Sequence, residues 1–156
     1  MIKSQWLISA VFFALVAAVI LVPNLLQSGV APKPATFASE GSTTTLASAI
    51  TQGQAEGKPV LALTTADWCP PCQALKRGAL ADPAVQAWIE QNTVPVYVDA
   101  TNPDSQGGQD AQTLGVRSLP TLAMLQPNGE IAHKLTGNAS PAELLRWFES
   151  LNVATP

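Results

Sequence analysis

The chain has only two cysteines in 156 residues, and they lie two apart in TTADWCPPCQALK (64–76). Cys69 and Cys72 at this spacing admit a structural staple, part of a metal site, or a redox couple. A disulfide closing so small a loop restricts the unfolded chain little, so its value as a staple is poor. Zinc asks for four ligands, whereas the one histidine, His133, sits in a strand-like run with no second cysteine pair anywhere. His133 alternates with Ile131 and Leu135, a pattern more typical of a structural or solvated strand residue than of a ligand. Two thiolates alone can hold Cu(I), so a redox-linked Cu(I) carrier stays open. The dithiol reading accounts for more of the surroundings. Cys69 follows an apolar run of strand length and opens a helix at Pro70, where free backbone N–H groups and the helix dipole favour a thiolate. Cys72, one helical turn further, is placed to attack a mixed disulfide formed on Cys69. No metal and no cofactor beyond the Cys69–Cys72 disulfide is expected.

The elements that must hold these cysteines follow from periodicity. Leu46, Ala49 and Ile50 mark a short helix that ends near Gly53 to Gly57. PVLAL (59–63) is a strand, and a helix follows from Pro70. In ADPAVQAWIEQ, Asp82 is an N-cap before Pro83, with Val85, Trp88 and Ile89 on one face. TVPVYVDA (93–100) is a second strand, and the polar TNPDSQGGQDAQ leads into a helix ending near Leu114. TLAML and EIAHKL flank Pro127-Asn128-Gly129 as a hairpin. The last helix starts at Ser140, with Glu143 closing a capping box. The order α-β-α-β-α-β-β-α predicts an α/β fold with a mixed sheet and helices on both faces.

The front of the chain is different. From Trp6 to Val22 the only polar residue is Ser9, and no charge falls between Lys3 and Lys33. Seventeen helical residues rise about 25 Å, close to the hydrocarbon core of a bilayer. A cleaved signal peptide has a shorter apolar core, roughly 7–15 residues, and a small-x-small site. The nearby candidate, Gly29-Val30-Ala31, is followed by Pro32, which hinders cleavage. We therefore read residues 1–4 as a cytoplasmic N-terminus, 5–26 as an anchor, 27–44 as a flexible linker and 45–156 as the folded domain. The linker assignment rests on a Ser-, Thr-, Ala-, Pro- and Gly-rich composition without periodicity. A single pass through the cytoplasmic (inner) membrane would leave the domain on the periplasmic or extracellular side. Both the anchor and the signal-peptide readings export it. The net charge is −3 with no basic cluster, which argues against a nucleic-acid partner.

Several separate stretches resemble the thioredoxin superfamily across residues 46–151. ADWCPPC is similar to the family's active-site motif and VDATNPD to the end of its third strand. GVRSLPTL (115–122) resembles the cis-proline loop, and KLTGNAS the last strand with its glycine turn. Among subfamilies, KPVLALTTADWC and LADPAVQAWI are most similar to the C-terminal domain of the transmembrane thiol reductase DsbD. Membrane-tethered cytochrome c maturation thioredoxins share the anchor and the Trp-Cys-x-x-Cys site. The resemblance implies a monomeric thiol–disulfide oxidoreductase with Cys69 as exposed nucleophile and Cys72 as buried resolving thiol. It further implies a cis Pro120 lying against the cysteines, with the Leu119 backbone pairing to an extended substrate segment. Trp68, Pro70 and Gly137 would contribute to the apolar substrate-binding surface, although core packing is the plainer role for Trp68. Its partners would be disulfides of exported proteins, in cytochrome c maturation or disulfide quality control, and an upstream membrane thiol donor.

One departure stands out. The family's buried acid, six residues before the first cysteine, is Leu63 here, and the lysine that often pairs with it is Pro95. An apolar pocket is expected in their place. Asp67 and Glu56 are near in sequence, but nothing in the sequence sets either beside Cys72. Pro70 and Pro71 bring neither N–H nor charge to the Cys69 thiolate, which favours a reductant over an oxidase or isomerase. A peptide-binding module without redox chemistry is the alternative from another class.

Overall fold

The computed structural model describes residue 16, residues 29–38 and residues 45–151. The anchor assigned to 5–26 lies, except for Val16, outside the described residues. Among the described residues no helix is long and apolar enough to cross a membrane.

The elements run α1 (Ala35–Ala38), α2 (Leu46–Glu56), β1 (Val60–Thr65), α3 (Pro70–Arg77), a 3-10 turn (Ala79–Ala81), α4 (Pro83–Asn92), β2 (Val94–Asp99), α5 (Gln106–Thr113), β3 (Thr121–Leu125), β4 (Ile131–Thr136) and α6 (Pro141–Ser150). The strands form one sheet in the order β2-β1-β3-β4. The β1–β2 pair is parallel; β3 runs antiparallel to both β1 and β4. This is an α/β fold with a mixed four-stranded sheet and helices on both faces, as the element order predicts.

Alternation along β1 builds two cores, because successive strand side chains point to opposite faces. Leu61 and Leu63 join Leu75, Leu80, Ile89, Leu122, Leu144 and Phe148 on one face. Val60 and Ala62 join Leu46, Val94, Val96, Leu114 and Leu125 on the other. Every residue of β1 is buried, as its central position requires. The first face is also tied by Trp88 stacked on Phe148, with ring centroids 4.1 Å apart. Such stacking adds about 0.5–1.5 kcal/mol to the area buried. Helix starts follow the expected caps: Asp82 accepts from the N–H groups of Ala84 and Val85, and Ser140 and Glu143 form a reciprocal capping box.

The linker assignment needs correction between Ala31 and Ala38. Phe37 is fully buried within the first core, and Ala31, Pro34 and Thr36 are buried as well. This strap carries the single short helix α1, whose Phe37 N–H reaches the Pro34 carbonyl at 3.0 Å. Its small and proline-rich composition looks like a tether because one aromatic side chain supplies almost all of its apolar burial. Burying a phenylalanine contributes about 1.5–3 kcal/mol, and the hydrogen bonds of Ala31 with Gln73 and Lys76 add to it against the entropy of ordering the segment.

Candidate active site

Cys69 occupies the cap position of α3 in an extended conformation, and the helix begins with Pro70 and Pro71. Proline suits a first turn because its missing N–H would be unpaired there in any case. The arrangement leaves Cys72 as the first residue of the turn with an N–H to give, and it donates to Cys69 Sγ at 3.3 Å and to the Cys69 carbonyl at 3.1 Å. The two sulfurs are joined in a disulfide. In this oxidised form Cys69 is 4% exposed and Cys72 1%. The sequence expectation of an exposed Cys69 is therefore corrected: Leu119 packs against the cluster it forms with Ala66 and Cys72. It still lines the adjoining groove, and Cys72 does not.

That groove, roughly 600 Å³, is bounded by Trp68, Cys69, Pro70 and Pro71 on one side and by Val116, Arg117, Ser118 and Leu119 on another. Leu119 packs against the small cluster of Ala66, Cys69 and Cys72. The Leu119–Pro120 peptide is cis. Pro120 is buried, and its carbonyl accepts a 2.8 Å hydrogen bond from the Gly137 N–H. Gly137 has φ +98°, a conformation that a residue with a side chain adopts only under strain. Thus Trp68, Cys69, Pro70 and Leu119 meet in the groove, while Cys72, Pro120 and Gly137 are not among the residues that line it. Trp68 is 65% exposed, which rules out core packing, and its indole N–H is fixed 3.2 Å from the Thr101 carbonyl.

The back of the same loop is built differently. Gln73 is buried; its Nε2 donates to the carbonyls of Ala66 and Asp67, each at 3.1 Å. Its Oε1 accepts from the Ala31 N–H of the strap at 2.6 Å. Lys76, also buried, donates to the Ala31 carbonyl at 2.9 Å and to the Tyr97 hydroxyl at 3.4 Å. Desolvation holds the Lys76 ammonium pKa below its ordinary value, opposed by Asp67 and Asp99. Burial pushes the Tyr97 phenol up to about 12, with Asp99 and Asp67 adding to the shift. Gln73 and Lys76 went unnoticed in the sequence because their partners are backbone atoms of a segment that looked like a linker.

Leu63 is fully buried among apolar side chains, and Pro95 is buried opposite Leu61 in the β1–β2 pair. The pocket that holds an acid in many thioredoxins is apolar here. The Asp67 charge acts on Lys76 and Tyr97, and Glu56 closes a 3.5 Å ion pair with Lys58. His133 is exposed on β4, paired in register with Met124. No group of three metal-binding side chains gathers among the described residues.

The sequence profile of the thioredoxin-like domain family matches residues 46–152. The chain is 28% identical over 104 residues to the thiol:disulfide interchange protein DsbD of Yersinia pestis (strain Pestoides F), a match spanning 65% of this chain and 17% of that protein. Among solved structures, a thioredoxin from Thermus thermophilus superposes with a TM-score of 0.62 at 26% identity, covering 70% of this chain and 85% of the other. The oxidised C-terminal domain of Neisseria meningitidis DsbD gives a TM-score of 0.59 at 21% identity, covering 67% and 90%, and at that identity attests the fold alone.

Proposed function

Because the chain belongs to the thioredoxin-like domain family and is an oxidoreductase whose active-site disulfide is Cys69–Cys72, we propose that it reduces disulfides in exported proteins. The observation that carries the direction is the poverty of donors at Cys69: two prolines open the helix, and the sulfur receives one N–H, that of Cys72. A thiolate with few partners is a poor resting state, so the dithiol gives up its electrons readily. In the forward step the Cys69 thiolate attacks a substrate S–S bond and expels one substrate thiolate. Cys72, once deprotonated, attacks Cys69 Sγ and releases the second. The substrate gains two electrons, and the protein is left with its own disulfide. A membrane-bound dithiol donor upstream reverses the exchange and restores the Cys69–Cys72 dithiol.

The uncharged apolar run from Trp6 to Val22 supports export of the domain and its retention on the membrane by residues 5–26. Cys69 is the attacking sulfur in this reading, since it alone of the pair lines the groove. Leu119 forms part of the wall along which an extended substrate lies, and the hydrogen bond from the Gly137 N–H to the Pro120 carbonyl supports that loop.

Equilibration with glutathione tests the direction. We expect a potential nearer thioredoxin's about −270 mV than DsbA's about −120 mV. A value above about −160 mV would reassign the protein to oxidation. Mass spectrometry of the mature protein tests the anchor: a new N-terminus between residues 28 and 40 would replace tethering with release.

A further inference from the structure

We propose that Arg117 makes the groove select disulfides flanked by a carboxylate, an inference that rests on the dithiol-exchange reading above. Among the residues lining the groove, Arg117 alone carries a charge. It stands two residues before Leu119, which packs against the cysteine cluster. Two residues of chain span at most about 7 Å, so Arg117 sits on the same short stretch of wall as the residue that covers the disulfide. No hydrogen bond or ion pair to another described residue occupies Arg117. Lys134 donates to the Gly115 carbonyl at 3.3 Å and adds a second cation beside the same loop. Neither Asp67 nor Asp99 lines the groove, and Asp99 accepts hydrogen bonds from the Thr101 N–H and hydroxyl.

An extended peptide advances about 3.3 Å per residue, so a carboxylate two or three positions from the attacked cysteine comes within reach of Arg117. Arginine presents a planar fork that receives carboxylate in two parallel hydrogen bonds. Arg117 is exposed, so its pairing with a carboxylate is sensitive to salt. The protein as a whole carries a charge of −3, so long-range attraction would favour cationic partners. A preference for acidic peptides would therefore be a local property of this rim, opposite in sign to the whole molecule's field.

Three cyclic disulfide peptides, differing only in Glu, Gln or Lys two residues after the attacked cysteine, provide the test with pre-reduced protein. The second-order rate for the Glu peptide should exceed that for the Lys peptide by about three- to tenfold at low salt, and the ratio should shrink towards one near 1 M salt. Arg117→Gln should bring the ratio close to one, and Arg117→Glu should invert it. Arg146→Gln, which changes net charge equally from an exposed position on α6, should preserve the ratio. Equal rates in the wild type, or a ratio lost equally in Arg146→Gln, would overturn the role of Arg117 and leave the reductase reading intact. If none of the peptides is reduced, the reductase reading fails instead. The charge order is then taken from the rates at which the oxidised protein oxidises the three peptide dithiols, and equal rates there overturn the inference.

Discussion

The loop from Ala66 to Cys69 faces two quite different neighbourhoods. In front, Trp68, the prolines and Leu119 present side chains to an open groove. Behind, Gln73 and Lys76 join the loop and its helix to the strap through backbone carbonyls and one backbone N–H. The front is made of residue identities at fixed spacing, and changing one alters chemistry while leaving the fold. The back is made of polar groups taken out of water and satisfied over sequence separations of 42 and 45 residues. Changing one there leaves several buried partners unmatched, and a buried unmatched group costs about 1–3 kcal/mol. The comparison separates what performs the exchange from what holds the performer still.

Cysteine substitutions should give the largest effects. Cys69→Ser should lower disulfide reduction by at least about 10³-fold, since the attacking sulfur is gone. Cys72→Ala should instead accumulate a mixed disulfide on Cys69, visible on non-reducing gels. Trapping on Cys72 in the Cys69 variant, with none on Cys69, would reverse the two roles. Neither variant should lower the stability of the reduced protein by more than about 1.5 kcal/mol, as the substitutions are close in volume.

Phe37→Ala should do the reverse. We expect a loss of about 3 kcal/mol in urea unfolding from the emptied site in the first core, with the intrinsic exchange rate of the folded fraction changed much less. An unchanged unfolding midpoint would detach the strap from the domain and collapse the contrast drawn above. Gln73→Leu lies between the two regions. It strips partners from Ala66, Asp67 and Ala31, and we expect about 2 kcal/mol of destabilisation together with an altered alkylation rate at Cys69. A stability loss with unaltered alkylation would confine Gln73 to structure.

The smallest effects are titrations at the back of the loop. The folded protein keeps the Tyr97 proton up to about 12, whereas an unfolded chain loses it near the ordinary 10. That contribution to stability is complete below pH 10 and disappears as pH rises from 10 to about 12. Lys76 runs the other way: its lowered pKa means the folded chain releases its proton first, so stability rises with pH just below 10.5. Tyr97 is the only tyrosine, so Tyr97→Phe should flatten the decline in urea midpoint above pH 10. Lys76→Met should flatten the rise below 10.5. Parallel slopes in variant and wild type would remove these two groups from the linkage.

What could be read from the sequence tracks the same division. The Cys69–Cys72 pair, the Ser-Leu-Pro loop, the caps at Asp82 and Ser140 and the alternation of β1 are local signals, with causes inside a few residues. The element order and the mixed sheet followed from them. Between β1 and β2 the chain makes two helices and a 3-10 turn, which periodicity alone ran together in the overall order. The groove residues Val116, Arg117 and Ser118 sat inside a motif already singled out, yet their shared wall depends on how that loop folds across α3. Gln73, Lys76 and the strap had no local signature at all. A polar residue on a helix reads as solvated unless its distant partner is known, and a single phenylalanine among prolines reads as part of a tether. The burial of Cys69 was missed for a related reason: the cover comes from Leu119, fifty residues away in sequence.

The docking of Ala31 also shortens the free chain available to the proposed anchor. A free linker over residues 27–44 would give eighteen residues of slack, roughly 60 Å when extended. With Ala31 fastened to Gln73 and Lys76, the slack that can follow an anchor ending at Leu26 is the four residues 27–30, and about 17 Å of contour. Were residues 5–26 to anchor the chain as proposed, a leash shortened more than threefold would favour partners held in the same membrane over freely diffusing substrates.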